Sequence, residues 1–440
     1  TTGLWFGDRV VSSSIEGGYG LFAGRLPRVY FGNAFSRTNV DSDYVYNIGQ
    51  YGPSAGPIPN LSTGSVTGIT DPRFFWTRSS QSDYVYGQNG YRLYAFTHFT
   101  DPNFEGPSTY KSNIALNLQF ANGYDVRFEY NKDSVNKALI WKDLSYSEEG
   151  TLADGRALLD QRDNPYLTNT GEGGGEAFSI IATKAFDNGV NLYAGYTNME
   201  MEDASRVASA QADSAYNKQP HDLAGENLRA APSDFMVDDK LIIGLDYTTQ
   251  IFGTNDTRFS VLANRKSGRR YSLVYETGDS EVSITDGNWE AYDLIYVPTG
   301  VNDPNVVFAS DAVASSVMNF LSSGCAAGFS GQIMTRNACK GDYATRVDLR
   351  ITQDFQVNDD QKIVIYFDIQ NLINFLDDDK GWQTEIDTNS VSRAVSVDLD
   401  QTTDSGQLYI TGVNEDAGLI YSTDYGQSQW QMNLGISYKF

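Results

Sequence analysis

Reading back from the C-terminus, every second residue is large and apolar: Trp430, Met432, Leu434, Ile436, Tyr438 and Phe440. Gln431, Asn433, Gly435, Ser437 and Lys439 fill the gaps. Successive side chains of a strand point to opposite faces, so the run predicts a strand with one apolar and one polar side. The pattern recurs. Val347, Leu349, Ile351 and Phe355 alternate with Asp348, Arg350, Thr352 and Asp354, and Gln353 interrupts the apolar side. Ile363, Ile365, Phe367 and Ile369 form the next face. Ile114, Leu116, Leu118 and Phe120 run into Asn122-Gly123, a tight-turn dipeptide. Phe178, Ile180, Ala182 and Phe186 precede a turn at Asp187-Asn188-Gly189, and Leu192, Ala194 and Tyr196 follow it. Leu241, Ile243 and Leu245, then Phe259, Val261 and Ala263, continue the series. Helical spacing is rare, so the expected fold is all-β and antiparallel. Strands are expected near 4–12, 17–24, 110–121, 124–146, 177–186, 191–200, 239–250, 258–276, 345–355, 362–370, 391–399, 407–412 and 429–440, about 13 in all.

The connections are lopsided. Short ones fall near 122–123, 187–190, 251–257, 356–361 and 400–406; long polar ones fall near 147–176, 200–238, 277–344, 371–390 and 413–428. Walking back from Phe440, short and long alternate. A soluble antiparallel sheet also alternates apolar and polar positions, but it gives no reason for long loops to share one end. A transmembrane outer-membrane β-barrel does, with short periplasmic turns and long extracellular loops. Phe440 then sits at the periplasmic end. Segment 25–109 reads as a long external excursion with its own hairpin near 84–99. Single-chain bacterial barrels close on an even number of strands, so an odd count points to a missed strand or an incomplete barrel.

Composition narrows the class. The 440 residues carry 56 Asp and Glu against 32 Lys and Arg, a formal charge of −24. A nucleic-acid binder would show a basic footprint instead. With 28 Tyr, 23 Phe and 6 Trp the chain is too aromatic to stay disordered. No stretch approaches the roughly 18–20 apolar residues of a membrane-crossing helix. Only His98 and His221 are imidazoles, which removes multi-histidine metal sites and most histidine acid–base chemistry. No enzyme motif is present, no catalytic or cofactor-binding residue is assigned, and an enzyme is the least supported class.

Several residues carry more specific expectations. Gly171 to Glu176 reads GEGGGE; its carboxylates would repel phosphate, so it is expected to be a flexible loop tip. Cys325 and Cys339 lie in the long 277–344 loop. An extracellular loop is oxidising, so a disulfide is expected; two unpaired thiols are the alternative. Asp377-Asp378-Asp379 and Asp359-Asp360 are oxygen donors of the kind Ca²⁺ takes, yet no calcium-loop spacing surrounds them, so solvated acidic loops are the preferred reading. Arg265, Lys266, Arg269 and Arg270 form the densest basic patch, either a solvated loop base or a partner for the anionic headgroups and lipopolysaccharide of an outer leaflet. Asp348, Arg350, Asp368, Gln370 and Lys439 face a polar barrel interior.

The last strand then meets a known pattern. Asn433-x-Gly435-x-x-Tyr438-x-Phe440 matches the signal read by the outer-membrane barrel assembly machinery. Gly18-Tyr19-Gly20-Leu21-Phe22-Ala23-Gly24 with Pro27-Arg28-Val29-Tyr30, Asp101-Pro102-Asn103-Phe104 before Pro107-Ser108, Leu167-Thr168-Asn169-Thr170 and Phe186-Asp187-Asn188-Gly189 are similar to blocks of TonB-dependent outer-membrane receptors. Arg336-Asn337-Ala338-Cys339, Arg346-Val347-Asp348-Leu349-Arg350 and Phe367-Asp368-Ile369-Gln370-Asn371-Leu372-Ile373-Asn374 resemble the tail of the Oar-like type. The resemblance implies a barrel of about 22 strands around an N-terminal plug. Neither plug nor TonB box is visible, and the chain starts at Thr1 without Met or signal peptide. Residues 1–440 are therefore expected to be a single region, the C-terminal part of such a barrel. The implied function is ligand capture by extracellular loops and TonB-energised uptake of an unknown ligand. A passive porin-like channel of about 14–16 strands, or an Oar-like adhesion or secretion role, is the alternative.

Overall fold

In the computed structural model of this chain the described residues are 9–26, 28–36, 44–47, 91–94, 98–143, 147–160, 165–206, 209, 211–221, 228–277, 292–386, 391–403, 405–414, 421–423 and 428–440. The fold is dominated by one large antiparallel sheet. Its main sheet contains ten long strands: β1 (Val10–Ala23), β2 (Ser108–Phe120), β3 (Tyr124–Asp143), β4 (Gly173–Ala185), β5 (Val190–Asp203), β6 (Asp239–Phe252), β7 (Asn255–Lys266), β8 (Ala344–Asn358), β9 (Gln361–Gln370) and β10 (Gln431–Lys439). Order in the sheet equals order in the chain. The registers put the tight turns 121–123, 186–189, 253–254 and 359–360 at one end, with Val10 and Phe440. The connections 24–107, 144–172, 204–238, 267–343 and 371–430 all leave from the other.

Directly opposed residues share a face, and the registers line the apolar positions up across strands. One row reads Leu118, Val126, Ala182, Ala194, Ile243, Ala263 and Val347. Another reads Leu192, Leu245, Val261, Leu349, Ile369 and Met432, and a third Tyr247, Phe259, Ile351, Phe367 and Leu434. Ile243, Leu245, Tyr247 and Leu434 are exposed. An apolar face this continuous exceeds the few hundred Å² that a water-facing surface tolerates; hydrocarbon is the solvent that fits it. Aromatic pairs border the band at the turn end: Tyr124 with Phe186 at 6.4 Å, Tyr247 with Phe259 at 6.4 Å, Phe252 with Phe355 at 6.1 Å and Tyr438 with Phe440 at 5.9 Å. At the loop end Phe375 meets Trp430 edge to face at 5.3 Å. Residues 241–247 rise about 20 Å, against an apolar band about 25 Å tall in such barrels. Gln353, the gap in the apolar pattern, closes on itself: it bonds to Thr257 Oγ1 at 2.5 Å and donates to the Asp354 carbonyl at 2.7 Å.

The sheet holds thirteen strands in all, but they are not the thirteen read from sequence. Three are short and sit at the loop end: Phe99–Thr100, Pro165–Thr170 and Ala231–Pro232. Spans 4–12 and 17–24 are one strand, β1, with Gly17 and Gly18 paired in register to Ile114 and Asn113 rather than turning; residues 4–8 lie outside the described residues. Span 258–276 breaks at Ser267, and Arg270–Glu276 leaves the wall. Spans 391–399 and 407–412 also lie outside the wall, because β9 pairs directly with β10. The segment 400–406 is therefore no periplasmic turn, and 371–430 is one excursion. Of the hairpin expected near 84–99, Tyr91–Tyr94 is a strand, but its partner is Tyr44–Asn47; residues 84–90 and 95–97 lie outside the described residues. Of the expected flexible tip Gly171–Glu176, residues from Gly173 on are instead the start of β4, paired on both sides from Gly174. Its glycines are there because neighbouring backbones come too close for a side chain. A Cβ on Gly174 would lie 2.6 Å from the Asp133 carbonyl oxygen, and one on Gly175 2.5 Å from that of Glu200.

Candidate functional site

Three of the long connections, 144–172, 267–343 and 371–430, fold into a lobe at the loop end. Its centre is a five-stranded sheet in the order Val306–Phe308, Leu408–Val413, Val391–Asp398, Arg270–Glu276 and Cys339–Lys340. The largest buried apolar cluster in the described residues lies here, not in the wall. It joins Leu152 from 144–172, Leu273, Ile295, Val317, Leu321 and Met334 from 267–343, and Val395, Val397, Leu408 and Ile410 from 371–430. Helix α1 (Asp311–Leu321) starts at Ser310, whose hydroxyl accepts from Val313 N at 3.2 Å. It buries Ala314, Val317 and Leu321 on one face, the three- and four-residue spacing of an amphipathic helix. Each fully buried branched side chain of such a cluster contributes roughly 1.5–3 kcal/mol.

A buried ion pair sits inside. Arg156 is fully buried; it donates to Asp154 at 2.6 and 2.9 Å and to the Leu294 carbonyl at 2.7 Å, and lies 5.5 Å from the Tyr275 ring centroid. Burial works against its charge, but Asp154, together with Tyr275 and Asp293, more than offsets that and raises its pKa. The Tyr275 hydroxyl accepts from Tyr296 N at 3.0 Å, and burial pushes its pKa up to about 12. Asp303 is pulled the other way. Burial opposes its ionisation, yet donors at Thr299 N (2.7 Å), Asn305 N (2.8 Å) and Thr299 Oγ1 (2.8 Å) hold its pKa below the usual value. The disulfide expected between Cys325 and Cys339 is formed, with Cα atoms 5.1 Å apart. It ties the 3₁₀ turn Gly324–Phe329 to the edge strand Cys339–Lys340.

The lobe is latched to the rim of the wall just beside that disulfide. Asn337 is buried in a left-handed conformation, φ 57°. Its amide donates to the Pro232 carbonyl at 2.7 Å and to Asp234 at 2.5 Å. Arg336 binds Asp203 at 2.5 Å. Arg270 and Lys340 both reach Asp238, at 2.7 and 3.3 Å. A second fastening closes the excursion before β10. Asn371 (φ 52°) donates to the Gly381 carbonyl at 2.9 Å and the Ser428 carbonyl at 2.5 Å, and Trp430 N donates to Asn374 Oδ1 at 3.2 Å. These asparagines belong to the Arg336–Cys339 and Phe367–Asn374 blocks singled out in sequence.

On the face opposite the apolar band, polar groups are paired in rows. Arg350 forks onto Asp368 at 2.6 and 2.8 Å, beside Asp246 bonded to Ser260. Arg346 holds Asp348 at 2.8 Å and Gln370 at 3.2 Å. Asp246, Ser260, Asp348, Arg350, Asp368 and Gln370 line a hollow of about 360 Å³ with Gly244 and Leu262. The four residues Asp348, Arg350, Asp368 and Gln370 expected on an interior face are thus brought together. Lys439 lies farther down the same face, opposite Lys362. A second network, unread in sequence, joins Arg127 to Glu129 at 2.9 Å and to Glu16 at 3.2 Å.

Other expected sites are placed as follows. Asn433 and Gly435 lie on the polar face, opposite Asp368 and Tyr366. Tyr438 and Phe440 lie exposed at the turn end. His98 is buried at the loop end, and His221 lies opposite Asp293 in a short parallel bridge outside the wall. Carboxylate oxygens of Asp377, Asp378 and Asp379 approach within 4.8 Å of one another, but Lys380 already sits 2.7 Å from Asp377 and lowers its pKa. Asp359 and Asp360 occupy the β8–β9 turn, as expected. Arg156, Asp154 and Tyr275 were not read as a unit. The available signal was the apolar run Leu294 to Val297 inside a supposedly polar loop, the mark of a buried strand.

No protein-family profile matches this chain, and no curated protein matches it. Among solved structures it is similar to BauA, the ferric preacinetobactin receptor of Acinetobacter baumannii, at 10% identity and TM-score 0.34, over 82% of this chain and 32% of that one. It is also similar to the outer-membrane transporter YddB of Escherichia coli, at 12% identity and TM-score 0.40, over 78% of this chain and 34% of that one. The chain spans about a third of the length of each.

Proposed function

We propose that this chain is the C-terminal part of the barrel of a TonB-dependent outer-membrane transporter. In this reading the remaining strands and the plug lie outside it, and the lobe captures a ligand at the cell surface. The observation that carries the reading is the coupling of two asymmetries. The wall is apolar on one side and polar on the other, and every long connection leaves from one end, three of the five sharing one packed lobe. Hydrocarbon accounts for the first; an inside and an outside account for the second. The paired charges of the polar face suit a water-filled interior through which a ligand or a plug moves. Asn433, Gly435, Tyr438 and Phe440 serve as the signal for the barrel assembly machinery.

Two measurements test this. Cysteines introduced at Ser322 in the lobe and at Asp187 in a tight turn are probed with a membrane-impermeant maleimide in intact cells carrying the full-length protein. The native cysteines are paired and stay silent. Ser322 labels at once and Asp187 only after permeabilisation; the reverse, or equal labelling, overturns the orientation. Uptake is then compared by solute depletion from the medium in strains lacking this gene or TonB. A solute spared by both deletions marks the cargo. A solute spared only by loss of this gene identifies a passive pore instead.

A further inference from the structure

We infer that the loop-end rim of β7 binds the phosphorylated headgroup of an outer-leaflet lipid, with Arg265 as the principal contact. The inference rests on the outer-membrane reading above. Register comes first. Arg265 is directly opposite Leu241 and Thr345, so it shares the apolar face with Ala263, Val261 and Phe259 and stands at the top of their column. A lipid whose chains lie along Leu241, Ile243 and Leu245 carries its headgroup at the height of Arg265. That is the depth at which a barrel accepts a cation on its lipid face.

The chemistry of the spot agrees. Arg265 is exposed, and its guanidinium lies 4.6 Å from the centroid of the Tyr343 ring. Stacking of this kind pre-orients the planar fork that suits phosphate oxygens. Asp239, a carboxylate on that face, is engaged by neutral donors. Asp239 accepts from the Tyr196 hydroxyl at 2.6 Å and the Tyr343 hydroxyl at 3.0 Å.

Charge is the second, independent observation. Residues 238–240, 265–270 and 340–343 hold Lys240, Arg265, Lys266, Arg269, Arg270 and Lys340 against Asp238, Asp239 and Asp342, in a chain of formal charge −24. Arg270 and Lys340 are used on Asp238. Arg265, Lys266 and Arg269 are exposed and, among the described residues, make no ion pair. On β4 the same face carries Glu176, which has Glu200 directly opposite on β5 and Lys132 directly opposite on β3, so acidic and basic groups mix there.

The test uses the full-length protein in neutral detergent, with native mass spectrometry reading lipid adducts. The probes are diphosphorylated lipid A, its dephosphorylated form and inorganic phosphate. Wild-type protein is expected to retain lipid A and not the dephosphorylated form. Arg265→Gln with Arg269→Gln lowers lipid A occupancy by at least about tenfold, as removal of surface cations worth about 1 kcal/mol each requires. Arg265→Lys holds most of it, and Arg258→Gln, near the turn end, changes nothing. Heat-modifiable gel mobility checks that each variant is folded; if the double variant is not, Arg265→Gln alone gives the reading. Equal lipid A occupancy in wild type and the glutamine variants overturns the inference. So does equal retention of the dephosphorylated form, or displacement of lipid A by millimolar phosphate, which assigns the site to a free anion.

Discussion

Gly435 shows how much one residue settles in this wall. It lies directly opposite Tyr366, whose ring occupies the space a Cβ would need, and Arg350 stacks on the other side of that tyrosine at 5.1 Å. A side chain at 435 must evict the ring, an overpacking cost of about 1–3 kcal/mol. Gly435→Ala is therefore expected to lower the unfolding temperature of the heat-modifiable band, and to do so far less in a Tyr366→Ala background. An equal cost in both backgrounds would show that the glycine matters for assembly and not as a seat for Tyr366. Tyr275 makes a pH-dependent prediction in the lobe. Its pKa rises from 10.0 to about 12 because burial disfavours the phenolate. A raised folded value means that its stabilisation is complete below pH 10 and is lost as pH climbs towards 12. The loss amounts to roughly 3 kcal/mol. Difference absorbance near 295 nm should show one late-titrating tyrosine that vanishes in Tyr275→Phe. If that variant keeps the late step, the buried phenol is another residue.

At the scale of elements the two faces of a strand were readable and its neighbours were not. Val391–Asp398 and Leu408–Val413 are strands, as their sequences predict, yet their buried residues include Val391, Ala394, Val395, Val397, Leu408 and Ile410 around a water-side core. Alternation specifies a half-buried surface; it cannot say whether lipid or protein covers it. The same limit joined 258–276 into one strand, since nothing in Ser267-Gly268-Arg269 announces a change of sheet. Gly171–Glu176 misled because glycine marks both turns and close backbone approach. By contrast, the turn-end turns and the disulfide followed from local chemistry. That disulfide gives an element-level prediction. Cys325 and Cys339 are 14 positions apart, and closing a loop of about 15 residues stabilises by about 3 kcal/mol. Cys325→Ser with Cys339→Ser is expected to leave the heat-modifiable band intact while lobe cleavage by added trypsin rises by an order of magnitude. Loss of the folded band would mean that lobe and wall are one cooperative unit.

At the scale of the whole molecule, the wall ends on both sides in strands that have no outer neighbour among the described residues. β1 and β10 are exposed on both faces, with Ile15, Tyr19, Leu434 and Ile436 open on the apolar one. Among the described residues β1 and β10 do not pair with each other. An unpaired edge is a template for further pairing, and in hydrocarbon each orphaned backbone group costs several kcal/mol. Our reading is that both edges are completed by strands outside this chain. Hydrogen exchange separates the alternatives. In the full-length protein in micelles, amides of Ile15–Leu21 and of Asn433–Tyr438 should be protected as strongly as those of Ile243–Tyr247 in the middle of the wall. In residues 1–440 expressed alone, the outward-pointing half of the amides in β1 and β10 should exchange within seconds while β6 stays closed. Fast exchange at either edge in the full-length protein would mean that the wall ends there. The lobe would then cap a groove and not a pore, and uptake through an enclosed interior would have to be given up.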